Sequence, residues 1–151
     1  MDADSVIRFI TERFAGVEVG NAFGYTFFYY DPGNVLPADR RFPFATMATQ
    51  DSEHDQASNL SREGVYRLNI GVEKETYRRL LGAPPVQDTA DLSPAIDFTE
   101  LGRILPHPEY AAQSWICILS PTDEIFREVI EPLLAEAHAR AVRKFEQLTR
   151  T

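Results

Sequence analysis

The segment Tyr25-Thr-Phe-Phe-Tyr-Tyr30 carries five aromatic side chains in six positions. On the two-residue period of a strand, Tyr25, Phe27 and Tyr29 face one way and Phe28 and Tyr30 the other. A strand bulky on both sides is central in its sheet or covered on both faces. The rest of the chain must therefore supply neighbours for its edges and cover for its surfaces. The C-terminal third offers the cover. Leu133, Leu134, Ala137, Ala141, Val142, Phe145 and Leu148 form an apolar stripe at helical spacing, which predicts a long helix closing over the sheet.

The neighbouring strands are read from pattern. Residues 17–21 give a short strand, and 42–49 another with Pro43 at its start, where a missing N–H costs little. Over 65–70, Tyr66, Leu68 and Ile70 share one face, while Val65, Arg67 and Asn69 share the other. Residues 113–119, with Trp115, Ile116, Cys117, Ile118 and Leu119, supply a further strand. A first helix is expected to start at Asp4 or Ser5 and to end at Gly16. A second spans 73–81, stopped by Gly82 and Pro84-Pro85. Asp97 and Glu100 have capping-box spacing and predict a short helical turn. Ser120-Pro121 reads as a helix start and Pro132 as a kink or a second start. The hydrophilic stretch 50–62 reads as a mobile loop, and 83–96 as an acidic, proline-containing one. Strands joined by turns argue for an antiparallel sheet. The expectation is one α+β domain over residues 1–151, with four to five antiparallel strands and helices packed mainly on one face.

Composition narrows the function classes. Apolar residues make up 44% of 151, which suits a core that needs no staple. The single Cys117 excludes an internal disulfide and, inside an apolar run, reads as a small core residue. A net charge of −8 repels a polyanion on average and disfavours nucleic acid as a partner. Basic residues gather only at Arg40-Arg41, Arg78-Arg79 and in 140–144, the last reading as a solvated helix face among acidic neighbours. No run of about 18 apolar residues is present, so no membrane span is expected. The acidic start lacks a secretory signal, which makes the cytoplasm the expected location. Gly16, Gly20 and Gly24 are four apart and open no helix, so they form no phosphate cradle. No cofactor and no metal is expected.

Arg67 and Asn69 need partners if they lie on a sheet face, and Arg40 or Arg41, ahead of a neighbouring strand, could join them, as could His107. Together they would make a surface friendly to carboxylates or other anions. The plainer reading is ordinary polar surface with Asp31 and Asp39 as counter-charges. His107 sits between Pro106 and Pro108, with Tyr110 and Trp115 close by. A pinned imidazole beside aromatics suits binding or proton transfer, and equally a turn whose ring bonds to backbone. Asp51-Ser-Glu-His54-Asp55 holds hard ligands for a divalent cation, although such a run also reads as a hydrated acidic loop. His138 borders the apolar stripe and reads as a satisfied helix-edge histidine.

The segments Asp39-Arg-Arg-Phe-Pro-Phe-Ala-Thr46, Gly64-Val-Tyr-Arg-Leu-Asn-Ile-Gly71 and Leu105-Pro-His-Pro-Glu-Tyr-Ala111, taken with the aromatic strand and residues 133–140, resemble a bacterial family of small proteins of unknown function. That resemblance spans nearly the whole chain and implies no activity. From His107 through Trp115 to the last helix the chain is also similar to MmcQ/YjbR-like proteins. This second resemblance implies an α+β domain with an antiparallel sheet and, through suggestions made for those proteins, DNA binding, which the charge opposes. The leading expectation is a non-enzymatic module that binds a small ligand or a protein, as monomer or homodimer. Its candidate ligand-binding residues are Arg41, Arg67, Asn69, His107, Tyr110 and Trp115. A small enzyme using His107, Arg67, Asn69 and Tyr110 is the second reading.

Overall fold

The computed structural model describes residues 1–85 and 96–150, so most of the acidic loop expected over 83–96 lies outside the described residues. The elements are α1 (Ala3–Arg13), β1 (Val17–Ala22), β2 (Tyr25–Tyr30), β3 (Ala45–Ala48), β4 (Arg67–Gly71), α2 (Lys74–Leu81), β5 (Leu105–Pro106), β6 (Trp115–Leu119), α3 (Asp123–Ile125) and α4 (Glu131–Thr149). The strands form one sheet of six in the order β1-β2-β3-β4-β6-β5. Every pairing between neighbours is antiparallel. The fold class is the α+β antiparallel architecture the pattern predicts. The strand count exceeds expectation because β5, only two residues long, adds an edge beside β6. Its Pro106 occupies that edge, where no inward N–H is needed.

Register assigns the two faces. Phe28, Ala45, Ile70 and Ile116 lie in one row across β2, β3, β4 and β6. This row is buried in the main core with Val6 and Ile10 of α1 and Leu133, Leu134 and Ala137 of α4. The helices therefore cover the face that the leucine–alanine stripe predicts. The next row, Phe27, Thr46, Asn69, Cys117 and Leu105, faces the other way. So does the row Tyr25, Ala48, Arg67 and Leu119.

Several local starts differ from the sequence reading, each for a hydrogen-bonding reason. Asp2 rather than Asp4 caps α1, its carboxylate accepting from Ser5 N at 2.8 Å. Thr122 rather than Ser120 caps α3, accepting from Ile125 N at 3.2 Å. Ser120 is instead left-handed (φ 39°), and its hydroxyl accepts from Tyr66 N at 3.2 Å. Around Asp97 only a turn forms, with Thr99 N and Thr99 Oγ1 donating to the Asp97 carboxylate. At α2 the first turn is satisfied from a distance: Glu136 of α4 accepts from Glu73 N at 2.9 Å and from the Thr76 hydroxyl at 2.7 Å.

A π-helical stretch, Phe126–Ile130, joins α3 to α4, with Glu131 N bonding to Phe126 O. Pro132 follows in the first turn of α4. Having no N–H, it can make no i→i−4 bond, and the widened turn just before it absorbs the mismatch. Pro132 thus stands in the first turn of a second helical segment, one of the two readings of the sequence, and the π-helical bulge before it joins that segment to α3 as a continuous rod.

The hydrophilic stretch 50–62, expected to be mobile, is docked on the sheet face opposite the helices. Asp55, Ser58 and Leu60 are buried. Leu60 packs with Ala48 and Leu119 in a small second core, and Asp51 accepts from Leu60 N at 2.9 Å. Docking is driven by these buried groups, which leave no periodic signature in so polar a sequence.

Candidate functional site

Two of the candidate polar residues form the floor of that docked loop. Arg67 is fully buried. Its Nη1 donates to Asp55 Oδ1 at 3.1 Å and to Ser58 Oγ at 3.0 Å, and its Nη2 donates to Asp55 Oδ2 at 2.5 Å. Its Nε donates to Asn69 Oδ1 at 2.9 Å, and Asn69 Nδ2 donates onward to Thr46 Oγ1 at 2.9 Å. The Tyr25 hydroxyl also donates to Asp55. Arg67 and Asn69 lie opposite the helices as expected, but the solvated surface expected for them is a closed network. Burial pushes the Asp55 carboxyl up, and the hydrogen bonds and charge of Arg67 more than offset this, so its pKa ends below the ordinary value. Tyr25, desolvated and hydrogen-bonded to that carboxylate, is pushed up to about 12.

Arg41 is elsewhere. Its Nε lies 3.2 Å from the buried carboxylate of Asp31, and its guanidinium stacks 4.5 Å over the Tyr29 ring. Asp31 also accepts from Val35 N and Leu36 N, so the arginine braces the turn after β2. The expected joint surface of Arg41, Arg67 and Asn69 is not formed, because each arginine has been drawn to its own buried aspartate.

His107 is buried and its ring is committed to backbone. Nδ1 accepts from Glu109 N at 2.9 Å and from Tyr110 N at 3.1 Å, which places the proton on Nε2. Burial, aided by the charge of Arg67, lowers its pKa to about 3. The ring lies 5.0 Å from Tyr110 and 6.3 Å, edge to face, from Trp115. Cys117 is likewise set apart from reactivity: burial raises its thiol to about 12. His138 is satisfied as expected, Nε2 donating to Ala15 O at 2.8 Å. In the 51–55 run, Asp55 belongs to Arg67 and Asp51 to Leu60 N. Among the described residues, no three His, Cys, Asp or Glu side chains gather to hold an ion.

What the open face does offer is a groove of about 1250 Å³. It starts on the sheet surface between the 52–55 segment and the turn at 107–113. It then passes over the ends of β3 and β4, past Phe44 and Gly71, to the C-terminal half of α4. Tyr25, Phe27, Thr46 and Trp115 floor it; Tyr25 and Phe27 continue into a ladder with Tyr29, ring to ring at 6.0 and 6.2 Å. Of the expected site residues, the groove brings together His107, Tyr110 and Trp115 and leaves out Arg41, Arg67 and Asn69.

Three exposed aromatics rim the groove: Phe23 (88% exposed), Phe42 (56%) and Tyr110 (45%). Phe23 and Gly24 form the two-residue β1–β2 turn with φ 55° and 83°, the positive values that favour Asn-Gly. A phenylalanine in this conformation is unusual, and the turn holds its ring out over the groove. Phe23 and Phe42 escape a reading based on charge and titration. The available signal was Ala22-Phe-Gly-Tyr25: a bulky residue where a tight turn wants Asn.

No helix among the described residues is long and apolar enough to cross a membrane. No curated protein and no solved structure matches the chain. One family model does match, over residues 1–150, and with that extent of agreement the chain belongs to the family of unknown function DUF6194.

Proposed function

We propose that the protein is a non-enzymatic binding module that takes a small organic ligand with a flat, apolar body into the groove on the open sheet face. One observation carries this reading: the three exposed aromatic rings, Phe23, Phe42 and Tyr110, all rim the same cavity. Exposed apolar surface gathered on a concave site is what a ligand pocket uses for affinity. A Phe kept at a left-handed turn position, where Asn is cheaper, adds weight, since such strain concentrates at binding sites.

The alternative of a small enzyme around His107, Arg67, Asn69 and Tyr110 has less behind it. General acid–base work favours groups whose pKa lies near the working pH. His107 is driven down to about 3 and Tyr25 up to about 12, away from neutrality in both directions. The DNA binding implied by the likeness to MmcQ/YjbR-like proteins would have to overcome a net charge of −8.

A ligand-observed NMR screen of planar aromatic fragments tests the proposal, run on the wild type and on a Phe23→Ser/Tyr110→Ser double variant. Both substitutions are at exposed positions and leave the core intact. Fragments that bind the wild type should lose binding to the variant. Equal binding to both proteins would rule the groove out as the site.

A further inference from the structure

The groove is not uniform along its length. At its α4 end, Arg140, Arg143 and Lys144 stand on one helix face at i, i+3 and i+4 spacing. A single carboxylate, Glu73, serves two of them, at 3.5 Å from Arg140 Nε and 2.9 Å from Arg143 Nη2. Arg140 is further tied to Val72 O at 2.6 Å. Lys144 makes no ion pair among the described residues; its ammonium rests 4.1 Å from the centroid of the Phe42 ring, on the groove rim. Glu136, one turn before Arg140, lies beside Glu73 and accepts from its backbone N–H, so three cations face two carboxylates and this end stays positive by one charge, in a chain whose net charge is −8. The cation nearest the exposed Phe42 is the one not neutralised by an acid.

Resting on the binding reading above, we infer that the ligand is a flat organic acid, its apolar body over the Tyr25–Phe27–Trp115 floor and its carboxylate at the Arg143–Lys144 end. The Phe42 ring lies against one side of the ammonium and places it at the groove rim, where an arriving carboxylate can pair with it. An amide or alcohol of the same shape would gain the aromatic contacts and forgo this pairing. The preference for the acid should weaken with added salt, since Lys144 and Arg143 are exposed.

The test uses 2-naphthoate and its neutral isostere 2-naphthamide. Both are titrated into the full-length protein at low salt, with Trp115 fluorescence as readout, and into a Lys144→Met variant that keeps the aliphatic stem. The expected result is binding of the naphthoate about tenfold tighter than the amide in the wild type, with most of that preference lost in the variant and the amide affinity unchanged. Equal affinities in the wild type, or a preference that survives Lys144→Met, overturn the assignment of an acid while leaving groove binding in place. Failure of both probes to bind at millimolar concentration overturns the groove reading and this inference together.

Discussion

The two carboxylate oxygens of Asp55 grip the two terminal nitrogens of Arg67, at 3.1 and 2.5 Å, inside a network closed by Ser58, Asn69 and Tyr25. One partner comes from β4 and the other from a loop of polar sequence. The pair therefore decides whether the 50–62 segment is a strap on the sheet or a free loop. It also sets one wall of the groove, since Ser52, Glu53 and His54 line the cavity just before Asp55.

Removing one member of a buried pair leaves the other charge uncompensated, which costs about 3–5 kcal/mol. We expect Asp55→Ala to lower stability by that order in urea unfolding. An Asp55→Asn/Arg67→Met double variant, which removes both charges, should lose clearly less than the single variant. Because the Asp55 pKa is lowered on folding, the pair's contribution is complete above the unfolded value near 4 and fades only as the pH falls below it.

His107 acts in the same direction on the pH axis, over a higher window. Its folded pKa of about 3 lies below the unfolded value near 6.5, so between these the unfolded chain takes up a proton that the folded one refuses. Stability should fall as the pH drops from 6.5 towards 3, with a limiting slope of about 1.4 kcal/mol per pH unit. In a His107→Gln variant that slope should be shallower. At pH 7, His107→Ala should lower the melting temperature by several degrees, because the Glu109 and Tyr110 amides lose their acceptor, a loss of about 1–3 kcal/mol. A steep slope retained by the Gln variant would place the titration elsewhere.

Phe23 should separate stability from binding. Replacing it with Asn relieves the left-handed strain, which for a bulky residue is about 1 kcal/mol, and should raise the melting temperature. The same change removes a ring from the groove rim and should weaken the binding of aromatic fragments severalfold. Thermal melting and fragment titration on one protein sample check both halves.

How much of this could be read from the sequence follows from what leaves a periodic trace. Phe28 and the Leu133–Leu134–Ala137 stripe announce themselves by period, and they bury each other as the pattern demands. Arg67 and Asn69 were placed on the correct side of the sheet by alternation alone. Their burial was not legible, because it depends on Asp55 and Ser58, isolated residues in a stretch with no period. The solvated face expected over 140–144 is exposed at Arg143 and Lys144; what the sequence does not show is that it borders the groove, because that depends on Phe42, far away in the chain, resting against Lys144. The spacing of 140, 143 and 144 was the clue that these cations share one face. The π-helical turn at Phe126–Ile130 was foreshadowed only by Pro132.

The chain's single tryptophan, Trp115, lies on the groove floor, where a ligand in the groove would meet it. With 5-fluorotryptophan incorporated, the ¹⁹F NMR signal of Trp115 can be followed during titration with 2-naphthamide. A saturable shift in the wild type that disappears in the Phe23→Ser/Tyr110→Ser variant is the predicted result. A resonance that stays still while the fragment binds, or that moves equally in both proteins, would place the ligand outside the groove.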